Sequence, residues 1–174
     1  RTNLSFYKNV RKNGLIAIGL DEGDEIAGCR MTNGKEQIFV ATRNGMAIRI
    51  EEEKGRALSR SAHGVKAIKL REGDYVVGIA KVREGASLLT VTDNGYGKRT
   101  EIDSYRIQNR GGYGLTNYKV DDIRGHVCGI KIVDETDDVI LVSSDGVIIR
   151  IHAEDVRIMG RIAKGVRVMR VGEG

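Results

Sequence analysis

Apolar residues along the chain fall in short Val-, Ile- and Leu-rich runs, broken by polar turns that carry glycine. Residues 38–42 (IFVAT) and 46–50 (MAIRI) flank Asn44-Gly45, and that dipeptide between two alternating runs reads as a hairpin. The same phrase returns around Asn94-Gly95 in residues 88–100 and around Asp145-Gly146 in residues 139–151. The dipeptides predict two-residue type I′ turns, with positive φ at both positions. Alternation in residues 65–70 (VKAIKL) puts every second side chain in water, as a strand packed on one face requires. Residues 15–20 and 26–31 are predicted as strands in the same way, joined by the acidic turn at 21–25 and followed by a turn at Asn33-Gly34. Residues 51–59, 103–109 and 152–160 read as polar, charged connectors.

These elements recur. Gly14, Gly64, Gly114 and Gly165 are spaced by 50, 50 and 51 residues, and an arginine stands four places before three of them, as Arg60, Arg110 and Arg161. The first repeat has Val10 there, with Arg11 beside it. Residues 14–28 superpose on 64–78, and residues 114–129 and 165–174 follow the same line. A strand-rich interval of about 50 residues belongs to the propeller class of repeats. The expected fold is all-β and propeller-like, four short strands to a repeat, in an incomplete or open ring. The repeats run over about 1–50, 51–100, 101–151 and a partial 152–174, as a single domain or a fragment of one. Because the chain opens in mid-repeat, it reads as a piece of a longer protein.

Composition narrows the function classes. The 174 residues are 40% hydrophobic and 30% charged, as in a soluble globular protein, and no apolar run approaches the length of a spanning helix. Cys29 and Cys128 occupy different places in the repeat, which suggests neither a metal site nor a disulfide and fits a reduced, cytoplasmic setting. His63, His126 and His152 share no ligand-like spacing, so no metal or cofactor is expected. The net charge is +5. It gathers around the repeated glycine: Arg60, His63, Lys66, Lys69 and Arg71, then Arg106, Arg110, Lys119 and Arg124, then Arg157, Arg161, Lys164, Arg167 and Arg170. Equivalent positions in a ring share one rim, so these groups describe a curved positive stripe suited to a bent polyanion. Two plainer readings stand beside this one. Basic side chains on strand faces often do no more than solvate a surface, and a repeated glycine is explained by a tight turn.

Residues 108–114, QNRGGYG, resemble the gyrase box, the Gln-basic-Arg-Gly-Gly-basic-Gly signature of the C-terminal domain of DNA gyrase A. Residues 94–106 and 59–78 are similar to later blades of that domain, and the likeness runs over essentially the whole chain. Asn109 and Tyr113 stand where the box has basic residues, and the box-like copy lies in a later repeat where the family has it in the first blade. The resemblance implies a six-bladed β-pinwheel whose neighbouring blades exchange strands and whose outer edge binds and bends duplex DNA. It implies a DNA-contacting set of Gln108, Arg110, Gly111, Gly112 and Gly114 in the box, with Arg11, Lys12, Arg60, His63, Lys66, Lys69, Lys98, Arg99, Lys119, Arg161, Lys164 and Arg167 along the rim. The partners implied are duplex DNA, the remainder of gyrase A and, through it, gyrase B, with no membrane. No catalysis is expected of this chain: its six tyrosines lie in β-repeat phrases or loops, and no Gly-x-x-x-x-Gly-Lys-Ser/Thr stretch is present. The parent enzyme would be an ATP-dependent type II DNA topoisomerase. The corresponding C-terminal domain of topoisomerase IV, or a propeller-type protein-interaction module binding an acidic partner, are the alternatives.

Overall fold

A computed structural model of the chain describes residues 1–172; the sequence match over residues 165–174 therefore runs two residues past the described region. Ten strands follow one another among the described residues: β1 (Gln37–Thr42), β2 (Met46–Glu51), β3 (Val76–Lys81), β4 (Ser87–Thr92), β5 (Tyr96–Glu101), β6 (Leu115–Thr116), β7 (Val127–Val133), β8 (Asp138–Val142), β9 (Ile148–His152) and β10 (Val166–Arg167). A short 3-10 turn closes each hairpin, at Glu52–Lys54, Ile102–Ser104 and Ala153–Asp155. Glu52, Ile102 and Ala153, at the head of these turns, are buried.

No repeat builds its own sheet. The first sheet has the order β3-β1-β2-β6 and the second β10-β5-β4-β7, all antiparallel. Each takes its central hairpin from one repeat, its outer strand from the next and its inner strand from the one after. The registers repeat as well, Val40 facing Ile79 and Thr90 facing Ile130, with a shift at Ala41/Thr42 and again at Val91/Thr92. The third hairpin, β8–β9, forms a two-stranded sheet.

The hairpin turns differ from expectation. No residue other than glycine has positive φ, so Asn44, Asn94 and Asp145 do not meet the type I′ requirement. Only Gly45, Gly95 and Gly146 are left-handed, at φ 83°, 78° and 85°, and each donates its N–H to the carbonyl three residues back at 3.0–3.1 Å. A type I turn closed by one left-handed glycine has this geometry. The hydroxyl before each turn favours it: Thr42, Thr92 and Ser143 accept the N–H of Met46, Tyr96 and Val147 at 3.1–3.3 Å.

The expected strands at 15–20, 26–31 and 65–70 do not form, and the counterparts at Leu115–Thr116 and Val166–Arg167 are two residues long. The reason lies in the exchange. Leu115 pairs with Ala47 and Ile79 with Val40, so each such segment depends on a hairpin roughly 40 to 70 residues upstream. For residues 15–20, 26–31 and 65–70 this chain holds no hairpin at that distance. Alternation supplies an apolar face, but without a ladder partner no strand results. Ile16, Ile26 and Met31 are accordingly exposed.

The core follows the joints between sheets. Phe39 and Tyr105 meet edge to face at 5.0 Å in one cluster with Leu88, Tyr118 and Val127. Leu89, Val133, Val139 and Val156 form a second cluster, and Val40, Ile48, Ile50 and Ile68 a third. Each fully buried side chain of this size contributes about 1.5–3 kcal/mol.

Two turn glycines with the same backbone separate conformational strain from packing. A Cβ on Gly95 would sit 2.2 Å from the Met169 carbonyl oxygen, whereas one on Gly146 meets nothing within 4 Å. Alanine in the left-handed region costs about 1–2 kcal/mol, and the overpacking adds about 1–3 kcal/mol. Gly95→Ala is expected to lower Tm clearly more than Gly146→Ala in thermal unfolding; equal shifts would show that the Met169 contact does not fix this turn.

Candidate nucleic-acid interface

The recurring arginines make one contact three times. The Arg60 guanidinium donates to the Ile16 carbonyl at 2.6 Å, Arg110 to Lys66 at 3.3 Å, and Arg161 to Thr116 at 2.9 Å. The acceptors are themselves spaced by 50 residues. Each arginine thus ties the loop before its glycine to the first segment of the preceding repeat. A tight glycine turn does not account for the arginine; this tie does. Arg110 also donates through Nε to Lys54 at 3.0 Å. Five N–H donors are available to each guanidinium, so capacity remains beyond the ties.

Residues 108–114 run beside residues 66–69. Gly111 N–H donates to the Ala67 carbonyl at 2.6 Å, and Lys69 N–H to Gly112 at 2.7 Å. The two pairs bring Lys66, Lys69 and Arg110 into one group, all exposed. Tyr113 joins them: the Lys69 ammonium lies 4.8 Å and the Arg71 guanidinium 5.6 Å from its ring centroid. The tyrosine in place of a basic residue therefore gathers two cations from the repeat before it, each contact contributing about 0.5–1 kcal/mol at an exposed site.

The box residues divide by environment. Gln108 lies inward: its N–H donates to Arg49 at 2.8 Å, and its buried Oε1 has no hydrogen-bond partner. Gly114, at φ +76°, is fixed by packing, since a Cβ would stand 2.4 Å from the Ala47 carbonyl oxygen. Gly112 is exposed, with only the Asn109 carbonyl oxygen near a built Cβ, at 4.0 Å.

A second basic group surrounds Tyr96. Arg124 and Arg167 lie 5.6 and 5.3 Å from its ring centroid, and Arg167 also donates to its hydroxyl at 2.9 Å. Lys164 pairs with Asp121 at 2.8 Å, and Arg124 with the same carboxylate at 2.9 Å. Lys164, followed by Arg124, holds the Asp121 carboxyl well below the usual carboxylate range. Lys119 is exposed. In the first repeat Arg11 and Lys12 are exposed, and His63 Nδ1 lies 3.1 Å from an Asp21 carboxylate oxygen.

Lys98 and Arg99 do not belong to this surface. Lys98 is fully buried, its ammonium donating to the carbonyls of Gly160, at 2.8 Å, and Arg161, 5.3 Å from the centre of the Tyr118 ring. Arg99 is 4% exposed and donates through Nε to Val156 at 2.7 Å. Arg49, its counterpart one repeat earlier, donates to Ile102 and Tyr105 at 3.0 Å. Both arginines clamp the 3-10 turn of the following repeat. Conversely, Tyr96, Tyr113, Arg71 and Arg124 belong with the basic groups; the two cations stood in the charge clusters of the sequence, but nothing there marked the tyrosines as their platforms. Cys29 and Cys128 are free and exposed, and among the described residues no helix is long and apolar enough to cross a membrane.

Hairpins completed by strands from two later repeats define the class, a propeller-type domain built by strand exchange. The chain belongs to the DNA gyrase C-terminal domain family, a β-propeller family whose model matches residues 1–33, 36–83, 86–133 and 137–174. It is 57% identical over 174 residues to the DNA gyrase A protein of Halalkalibacterium halodurans, covering 100% of this chain and 21% of that protein. The DNA gyrase A protein of Clostridium acetobutylicum is 47% identical over 170 residues, covering 98% and 20%. The chain thus spans about a fifth of the length of these relatives. Among solved structures, a DNA gyrase A C-terminal domain superposes with TM-score 0.87 at 32% identity, covering 92% of this chain and 55% of that one. The C-terminal domain of a DNA topoisomerase IV superposes with TM-score 0.91 at 26% identity, covering 97% and 53%.

The buried ammonium gives the fold a pH signature. Burial, reinforced by the charge on Arg161, pushes the Lys98 pKa down from 10.5 to about 8. Between those values the unfolded chain binds more protons than the folded one, so stability rises with pH. Burial pushes the Tyr105 and Tyr118 phenols up from 10.0 to about 12, which reverses the slope above pH 10. Tm is expected to rise from pH 8 to about 10, by an amount on the order of 2 kcal/mol in stability, and then to fall. Lys98→Ile places here the residue found at the equivalent Ile48. It should remove the rise and keep the fall; an unchanged profile would contradict a charged, buried Lys98.

Proposed function

We propose that the chain binds duplex DNA through phosphates, without reading bases, and bends it along the basic rim. The observation that carries this reading is the arginine tie repeated at 50-residue intervals, with exposed cations beside it. A rim that presents charge at a fixed repeat offers successive phosphates successive partners, and sequence then enters only through deformability. Bending 20 to 30 base pairs by 40 to 90° costs roughly 1–6 kcal/mol, which contacts on a preformed arc offset. Lys66, Lys69, Arg71 and Lys119 supply charge, Arg60, Arg110 and Arg161 supply charge and position, and Gly112 lets the backbone approach a phosphate.

In the whole protein this binding would serve an ATP-dependent type II topoisomerase of the gyrase kind, the remainder of gyrase A and, through it, gyrase B being its partners and negative supercoiling its result. Placement with gyrase, before topoisomerase IV, rests on the 57% and 47% identities to gyrase A proteins against 26% to the topoisomerase IV domain. A cytoplasmic location follows from that role.

Titration of a fluorescent duplex at several salt concentrations tests the reading. If about four to six phosphates are neutralised, log K should fall against log salt with a slope of roughly −4 to −5. Lys66→Ala/Lys69→Ala should weaken binding and flatten the slope by about one unit per lost phosphate contact, whereas Lys35→Ala/Lys131→Ala should leave both nearly unchanged. Affinity that is flat in salt, or equal loss from both pairs, removes the organised DNA path and favours an interaction module with a generally basic surface.

A further inference from the structure

We propose that two copies of this chain close on each other, each completing the β8–β9 sheet of its partner with the strand-like segments of residues 15–16 and 26–31. The chain carries both halves of the joint. At one end stands a hairpin without outer or inner strands; at the other stand an outer and an inner segment without a hairpin. The two are equivalents of parts that pair elsewhere in the same molecule.

Shifting the observed registers by whole repeats gives the match. Thr90 faces Ile130 and Val40 faces Ile79, which places Leu141 of β8 opposite Cys29 of the second copy. Met46 faces Thr116, which places Val147 opposite Ile16. Exposure agrees with this pairing: Ile140, Val142 and Ile148 on one side and Ile16, Ile26 and Met31 on the other are all at least 60% exposed. Apolar side chains on an open sheet edge are an invitation to further pairing.

Three vacancies line up with it. A Cβ on Gly28 would touch Ile79 at 2.6 Å, and one on Gly78 would touch Ile130 at 3.1 Å, because each outer strand lies against the next; the equivalent Gly129 meets nothing within 4 Å. The Cβ positions of Gly45 and Gly95 run into carbonyls of a later repeat at 2.0 and 2.2 Å, while that of Gly146 is open. A cleft of about 600 Å3 lies between β7 and β8, lined by both strands, where an outer strand would pack. Gly28 already rests on Ile79 as Gly78 rests on Ile130, so the incoming segment is held in place before it pairs.

A head-to-tail joint of this kind either closes or grows into a filament. Length favours closure at two: the chain matches 53% and 55% of the two solved C-terminal domains, so two copies supply about one such domain.

Light scattering on the purified 174-residue chain measures the mass directly. The expected result is a species of twice the 19.1 kDa chain at high concentration, dissociating on dilution. Arg30→Pro/Met31→Pro should give only monomer with an unchanged circular-dichroism spectrum, since adjacent N–H groups point to opposite sides and one of the two must serve the ladder. In a second arm, Leu141→Cys in a Cys128→Ser background, treated with a mild oxidant, should give a covalent dimer through Cys29. A wild-type monomer up to the millimolar range overturns the proposal. So does a dimer indifferent to the two prolines, a mass that grows without limit, or the absence of the Cys29 crosslink.

Discussion

The carbonyl of the hairpin-tip glycine is the point on which the rest of the structure depends. Gly45 accepts the N–H groups of Asn117 and Tyr118 at 2.7 and 3.0 Å, and Gly95 those of Val168 and Met169 at 2.9 and 3.1 Å. Each bond pair spans more than 70 residues and joins a hairpin to the segment that returns from two repeats later. The left-handed turn aims the carbonyl, and the missing side chain leaves room for the strand that meets it. Glycine thus satisfies a conformational and a steric demand at once. Because sheets are completed only from outside the repeat, stability resides in the couplings between repeats, as in other repeat architectures. Pairings of this sequence separation also make folding slow, since loop-closure entropy is lost before the contacts form.

The hairpins, the period and the propeller-like class were legible because they are written locally: an Asn-Gly or Asp-Gly dipeptide, an alternating run on either side, a glycine at a fixed interval. The lengths of the remaining strands were not. Residues 65–70 and 115–120 read alike, yet Leu115–Thr116 has β2 to lie against and residues 65–70 have no hairpin in this chain. Local pattern records the capacity to pair and is silent about the presence of a partner. The turn type was missed for a related reason, since Thr42, Thr92 and Ser143 act across the loop on residues four positions on.

The site was legible as charge and obscure as geometry. Lys98 and Arg99 follow a hairpin turn in a basic phrase, which reads as a solvated face, but all four residues 97–100 are buried. Comparing columns of the repeat would have told more than counting charges. Lys98 aligns with Ile48 and Ile149, apolar positions, and Arg99 aligns with Arg49 and Arg150, a recurrence of arginine within this chain that serves the clamp on the next 3-10 turn at Arg49 and Arg99. Tyr113 was likewise a departure from the box in the sequence, whereas in space it is the ring that holds Lys69 and Arg71 together.

The two kinds of cation on the rim then divide the work. A guanidinium has planar, forked donors suited to carbonyl and phosphate oxygens alike, and Arg60, Arg110 and Arg161 each use part of that fork on the preceding repeat. Lysine is a mobile point charge, and Lys66, Lys69 and Lys119 are exposed on flexible stems. The arginines therefore set the curvature of the rim while contributing to its field, and the lysines contribute to the field alone. Replacing an arginine changes the path of a bound duplex as well as its charge balance. Replacing a lysine leaves the path in place, so lysine variants isolate the electrostatic share of binding, and the difference between the two series measures how much of the affinity depends on the preformed curve.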